Sequence, residues 1–109
     1  MASERERDAL YYTLLRAREE HADLLAYREF LAEESRRLEA FATETRTRAE
    51  TVPRRLQRPT QATVKPLVEA LGRRRSVIEE ERRRIDDRVA QAQAFVEECE
   101  ADLEASRGR

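Results

Sequence analysis

The sequence has one cysteine, one histidine, two glycines and no tryptophan, and only 6% of its 109 residues are aromatic. Each shortage removes a class of protein. The lone Cys99 excludes an internal disulfide and gives no support to a small stapled fold of the secreted type. The lone His21 cannot supply a histidine-based metal centre, nor the Glu-x-x-His pair that bundle di-metal sites need on each of two helices. Two glycines do not make a phosphate-cradling loop, and no Ser-His-Asp set has enough members. No stretch approaches the roughly 18 apolar residues of a membrane span, and the opening MASERERD is charged where a signal peptide is apolar. These shortages predict a soluble, intracellular, cytoplasmic chain that is not an enzyme, with no metal, no cofactor, no small-molecule substrate and no membrane partner.

What the chain does have is charge and periodicity. Charged residues make up 41% and hydrophobic ones 39%, a mixture rich in helix formers and poor in core material, typical of long helices and coiled coils. From Leu10 to Val52 apolar or small positions step alternately by four and three residues. With Leu10 taken as heptad position d, Leu24, Leu31 and Leu38 share that column, whereas the a column includes His21, Arg28 and Ser35. A second pattern keeps one register from Val64 to Leu103 through Leu71, Ile78, Ile85, Val89, Val96 and Cys99, with Arg75 and Arg82 at core positions. The register passes through Gly72 without a phase shift, which predicts one continuous helix there despite the glycine. Leu24, Leu31, Leu38, Ile78, Ile85 and Val89 are the expected core.

Between the two patterns lie all three prolines, Pro53, Pro59 and Pro66. Proline disfavours helix in the residue before it and donates no backbone hydrogen bond. The spacing therefore predicts a first helix over about residues 4–51, a Pro/Arg-rich turn over about 52–62, and a second helix over about 63–106 capped by Thr60 or Thr63. On this reading Pro66 is tolerable only in the second helix's first turn. At the other end Ser3 and Glu6 have the spacing of a capping box. The whole chain, residues 1–109, reads as one all-α domain. It is a long antiparallel helical hairpin with arms of roughly 65 Å, completed into a three- or four-helix bundle by association. Facing residues should have numbers adding to about 112–114, which gathers Arg28, Arg75 and Arg82 in the middle. Such core arginines either reach outward over their own stems or pair with Glu34, Glu79 or Glu81.

Two features point to partners. Tyr11, Leu25, Tyr27 and Phe41 flank the seam, a wider apolar stripe than a two-stranded pair needs; Tyr27, Phe41 and Phe95 are the candidate protein-binding residues. Residues 46–75 hold nine basic groups against Glu50 and Glu69, a net of +7 in a chain whose total is −1. In a hairpin those charges collect at the turn end. Arg54, Arg55, Arg58, Arg73 and Arg74 are the candidates for an acidic partner. The polarity suits an antiparallel homodimer, an acidic protein, or nucleic acid, the last without any aromatic among the arginines to stack on bases. The resulting expectation is a coiled-coil assembly or adaptor protein. The alternatives are a basic-tipped nucleic-acid-binding hairpin and a small helical chaperone for an acidic client.

Two likenesses accompany these patterns. The segment Leu10-Tyr11-Tyr12-Thr13-Leu14-Leu15-Arg16 resembles the opening of mitochondrial LYR-motif proteins over seven residues, with Tyr12 where their signature arginine stands. The charged heptads resemble small tubulin-holding chaperones and prefoldin-type hairpins, a likeness that implies a client-holding role and rests on no specific motif.

Overall fold

The computed structural model describes residues 3–108; Met1, Ala2 and Arg109 lie outside them. The fold is all-α, a hairpin of two long helices, α1 (Glu4–Glu50) and α2 (Arg54–Arg107). Helix α1 starts as the Ser3/Glu6 spacing predicts. The Glu6 amide donates to the Ser3 hydroxyl at 3.1 Å and the Ser3 amide donates to the Glu6 carboxylate at 3.2 Å, so two groups at the helix start satisfy each other.

The turn is much shorter than the predicted 52–62. It occupies residues 51–53, and α2 begins at Arg54 with both Pro59 and Pro66 inside it. Neither Thr60 nor Thr63 is a cap: Thr60 is half-buried within the helix and the Thr63 hydroxyl donates back to the Pro59 carbonyl. The reason lies in where the prolines fall. They are seven residues apart at heptad position f, on the solvent side, and Arg55 and Ala62, whose carbonyls lose an amide partner, are exposed as well. Water can solvate those carbonyls, so the usual penalty is softened rather than removed.

The turn closes without glycine and without any positive-φ residue among the described residues. Gln57 takes over the capping. Its side-chain amide donates to the carbonyls of Glu50 at 3.3 Å and Val52 at 2.8 Å, while the Thr51 hydroxyl donates to Arg48 at 2.8 Å. Two of the last carbonyls of α1, those of Arg48 and Glu50, are thereby satisfied by side chains.

The contacts divide into two units. One joins the chain up to Arg28 with the chain from Arg84 onward, and the other runs from Glu29 to Arg83. In the terminal unit Leu14, Ala17, Val96, Cys99 and Leu103 form a buried cluster with Leu10 packed against it. Leu10 with Leu103, Leu14 with Cys99 and Ala17 with Val96 each have numbers adding to 113, the register that the heptads predict. Ile85 is fully buried in the same unit.

The turn unit is built differently. Its α1 segment buries Leu31, Ser35, Ala42 and Ala49, but every buried residue of α2 lies at Ile85 or beyond. Of the expected core, Leu31, Ile85 and Val89 are buried, and Leu24, Leu38 and Ile78 are half-buried. Gly72 lies inside a continuous helix with open space around the position a Cβ would take.

Two predictions follow from this division. Gly72→Ala and Pro66→Ala should each raise the thermal midpoint by stabilising the fold, by about 1 kcal/mol for the glycine and about 1–3 kcal/mol for the proline. A fall in either midpoint by circular dichroism would contradict a continuous α2. Ile85→Ala should destabilise by about 2 kcal/mol or more in denaturant titration, whereas Phe95→Ala at an exposed position should change little.

Candidate interaction surfaces

Polar side chains form a connected chain across the two helices of the turn unit. Ser35 Oγ donates to Glu79 Oε1 at 2.5 Å, and Arg82 Nη1 donates to the same carboxylate at 3.0 and 3.3 Å. Arg75 reaches Glu39 at 2.9 Å through Nη2 and Ser35 Oγ at 3.5 Å through Nε. Ser35 is small enough to admit both, and its burial makes its hydroxyl the junction. Of the predicted core arginines, Arg75 and Arg82 are half-buried and paired; Arg82 takes Glu79, and Arg75 takes Glu39 rather than one of the acids anticipated for it. Ser35 with Glu79, and Glu39 with Arg75, have numbers adding to 114, so the ionic chain keeps the register of the heptads. Arg28 is exposed and 3.7 Å from Asp86 in the terminal unit, a distance and setting in which an ion pair contributes little.

The hydrogen bond from Ser35, then that from Arg82, holds the Glu79 carboxyl below its ordinary value of 4.5; partial desolvation opposes them, and the charges of Arg82 and Arg75 add to the lowering. A carboxyl lowered in the folded state stabilises the fold fully above its unfolded pKa and loses that contribution as pH falls through the folded value.

The exposed apolar residues of the turn unit share one flank. Phe30 (55% exposed), Phe41 (50%), Leu56, Leu67 and Val77 (69%) all stand at heptad positions c or g, which adjoin across an antiparallel pair. The opposite flank carries Glu39, Arg46, Lys65 and Glu79. On the apolar flank Phe30, Leu31, Glu34, Arg74, Val77 and Ile78 line an open groove of about 420 Å³. Sequence reasoning marked Phe41 but missed Phe30, Leu56, Leu67 and Val77. Phe30, Leu56 and Val77 stand at position c, one step before the d column, and Leu67 stands at g.

In the terminal unit Tyr27 and Phe95 are exposed at g positions, and Phe95 borders a groove of about 230 Å³ over Ala17, Leu24 and Ala92. Tyr11 and Tyr12 meet edge to face, their ring centroids 6.2 Å apart. All five candidate arginines are exposed. Arg54, Arg55 and Arg58 fall within the first two turns of α2, whereas Arg73 and Arg74 lie about 22 Å further along the helix. The structure therefore gathers three of them, and it places Arg74 on the wall of the apolar groove.

Cys99 is buried, and burial, followed by the nearby charges of Asp102 and Glu98, pushes its thiol up. It serves as a small apolar side chain of the terminal cluster. Half-buried His21 sits at its a position. Among the described residues no group of three or more His, Cys, Asp or Glu side chains is placed to hold a metal, and no helix is long and apolar enough to cross a membrane. Comparison with protein-family models, curated proteins and solved structures finds no match to the chain.

The Glu79 junction yields a pH prediction. The stability difference between the native chain and Glu79→Gln should be full near neutrality and shrink as the solution is taken below pH 4.5. Parallel melting curves at every pH would remove Glu79 from the register.

Proposed function

We propose that this chain is a non-enzymatic helical assembly or adaptor protein, which works by self-association or by binding a partner protein through the apolar flank of its turn unit. One observation carries the reading. Phe30, Phe41, Leu56, Leu67 and Val77 are exposed together on a single flank, beside an α2 segment whose seam residues are at most half-buried. Scattered exposed hydrophobics are ordinary on a protein surface, whereas a one-sided stripe with an adjoining groove is the form that protein-binding surfaces take. Aromatic residues at its centre suit an interface core, and Glu34 and Arg74 at the groove suit its polar rim.

The arginines at the turn give the surface a second component. Arg54 and Arg55 lie in the first turn of α2, which contains no acidic residue. They stand at the positive end of the helix dipole, where like charge is unfavourable. Arg54, Arg55 and Arg58 make no ion pair among the described residues, and an acidic surface on a partner would relieve their mutual repulsion. The work this reading assigns is scaffolding or holding in the cytoplasm, carried out by shape and charge.

The test uses the tagged chain recovered under mild conditions from the cells that make it. Its mass by light scattering should exceed the 12.8 kDa of one chain. The triple change Phe30→Gln, Phe41→Gln and Val77→Gln should release a monomer that keeps its helical circular dichroism, because the three sites are exposed in the single chain. Native chain recovered only as monomer would remove the assembly reading.

A further inference from the structure

The α1 side of the apolar flank has an internal symmetry of charge. Its c and g positions run Phe30, Glu34, Arg37, Phe41, Glu44, Arg48. Outward from Phe41, the nearest pair is Arg37 and Glu44 and the next is Glu34 and Arg48. Each pair is of opposite sign; Glu34 and Arg48 each stand seven residues from the phenylalanine, and Arg37 and Glu44 stand four and three. Over the turn unit the flank carries Glu34, Glu44 and Glu81 against Arg37, Arg48 and Arg74, so it is neutral. A uniformly acidic or basic partner meets repulsion at three of these six positions. A helix of the same sequence, reversed, meets attraction at all four of the α1 charges.

Resting on the assembly reading above, we propose that the occupant of this flank is a second copy of the chain, laid antiparallel with Phe41 on the two-fold axis. An isologous contact of this kind repeats every pair twice. Phe41 packs on Phe41 of the second copy, Glu34 meets its Arg48, and Arg37 meets its Glu44. Arg48 already holds Glu44 of its own helix at 2.7 Å, so the contact extends an existing ion pair into a network.

Helix α2 fits the same axis. The Ser35–Glu79 and Glu39–Arg75 contacts set Phe41 level with the Gly72–Arg73 step. A two-fold axis at that level brings Leu67 against Val77 of the second copy and Ala70 against its Arg74. The exposed Leu67 and Val77 thus cover each other, and Phe30 comes to Val52 beside the other copy's turn. The α2 segment that is at most half-buried in one chain becomes an inner layer of a four-helix arrangement.

The test uses the purified full-length chain, with buried Cys99 left in place, in sedimentation equilibrium and in crosslinking. The native chain should be a dimer. Glu34→Arg should raise its dissociation constant by about tenfold or more, because each dimer then holds two like-charged pairs. Glu34→Arg combined with Arg48→Glu should restore dimerisation, a rescue that no loss of folding would give. A short bismaleimide should join two chains through the cysteine of Phe41→Cys and fail with Thr43→Cys on the opposite flank; circular dichroism checks that each variant is helical.

A dimer that ignores the Glu34 and Arg48 changes, or that crosslinks through Thr43→Cys instead, overturns this docking and leaves the assembly reading intact. A chain that stays monomeric at the highest soluble concentration also overturns it. If that same chain is recovered from its cells in a larger complex, the flank belongs to a different protein.

Discussion

Two helices that touch only each other bury one stripe apiece, and the composition of that stripe governs the rest of this chain. The d column of α1 is mostly leucine, but its a column changes character along the helix. Where it offers Leu14 opposite Cys99 and Val96, an apolar cluster forms. Where it offers Ser35, the space is filled by Glu79 and Arg75 instead. A neutral apolar seam holds strongly and specifies little, because a slip of one heptad replaces leucine with leucine. A hydroxyl shared by one carboxylate and one guanidinium has a single register in which all three are satisfied. The polar junction thus contributes alignment to a unit whose apolar burial is thin.

Much of this was legible from residue spacing. The heptads identified both helices and their antiparallel pairing, and residues whose numbers add to 113 or 114 do meet. The capping box at Ser3 was also plain, because its geometry is local. The turn was misjudged because proline was weighed by residue type rather than by direction. Pro59 and Pro66 break the helical ladder only on the side facing water, and sequence rules count the lost hydrogen bond without asking what replaces it. Gln57 as a cap across the turn has no sequence signature, since it acts on carbonyls that precede the helix it belongs to.

The exposed apolar flank was half legible for a related reason. Seam positions a and d, and their neighbours e and g, are the places where apolar residues are sought, and Tyr27, Phe41 and Phe95 were found there. Phe30 and Val77 stand at c, usually a solvated position, and are conspicuous only once the two helices are set side by side and their flanks compared. The two flanks of the turn unit then differ: one carries exposed aromatic and aliphatic groups among its charges, and the other carries none of the large exposed hydrophobics. The basic cluster was overestimated in extent for the opposite reason, because residues near in sequence become widely spaced when the chain between them is a straight helix.

The placement of the buried cluster also bears on how the chain reaches its fold. Leu14 and Cys99 belong to one cluster although 85 positions separate them, whereas the turn that joins the helices is flanked by polar, thinly covered segments. The contacts that form soonest in a diffusing chain are therefore the weakest, and the strongest demand the largest loop closure. During synthesis the N-terminal half of the cluster waits, exposed, until almost the last turn of α2 has emerged. A chain cut short by ten residues loses Leu103 from the cluster, and with it part of the closure that makes the remaining helix pairing persist.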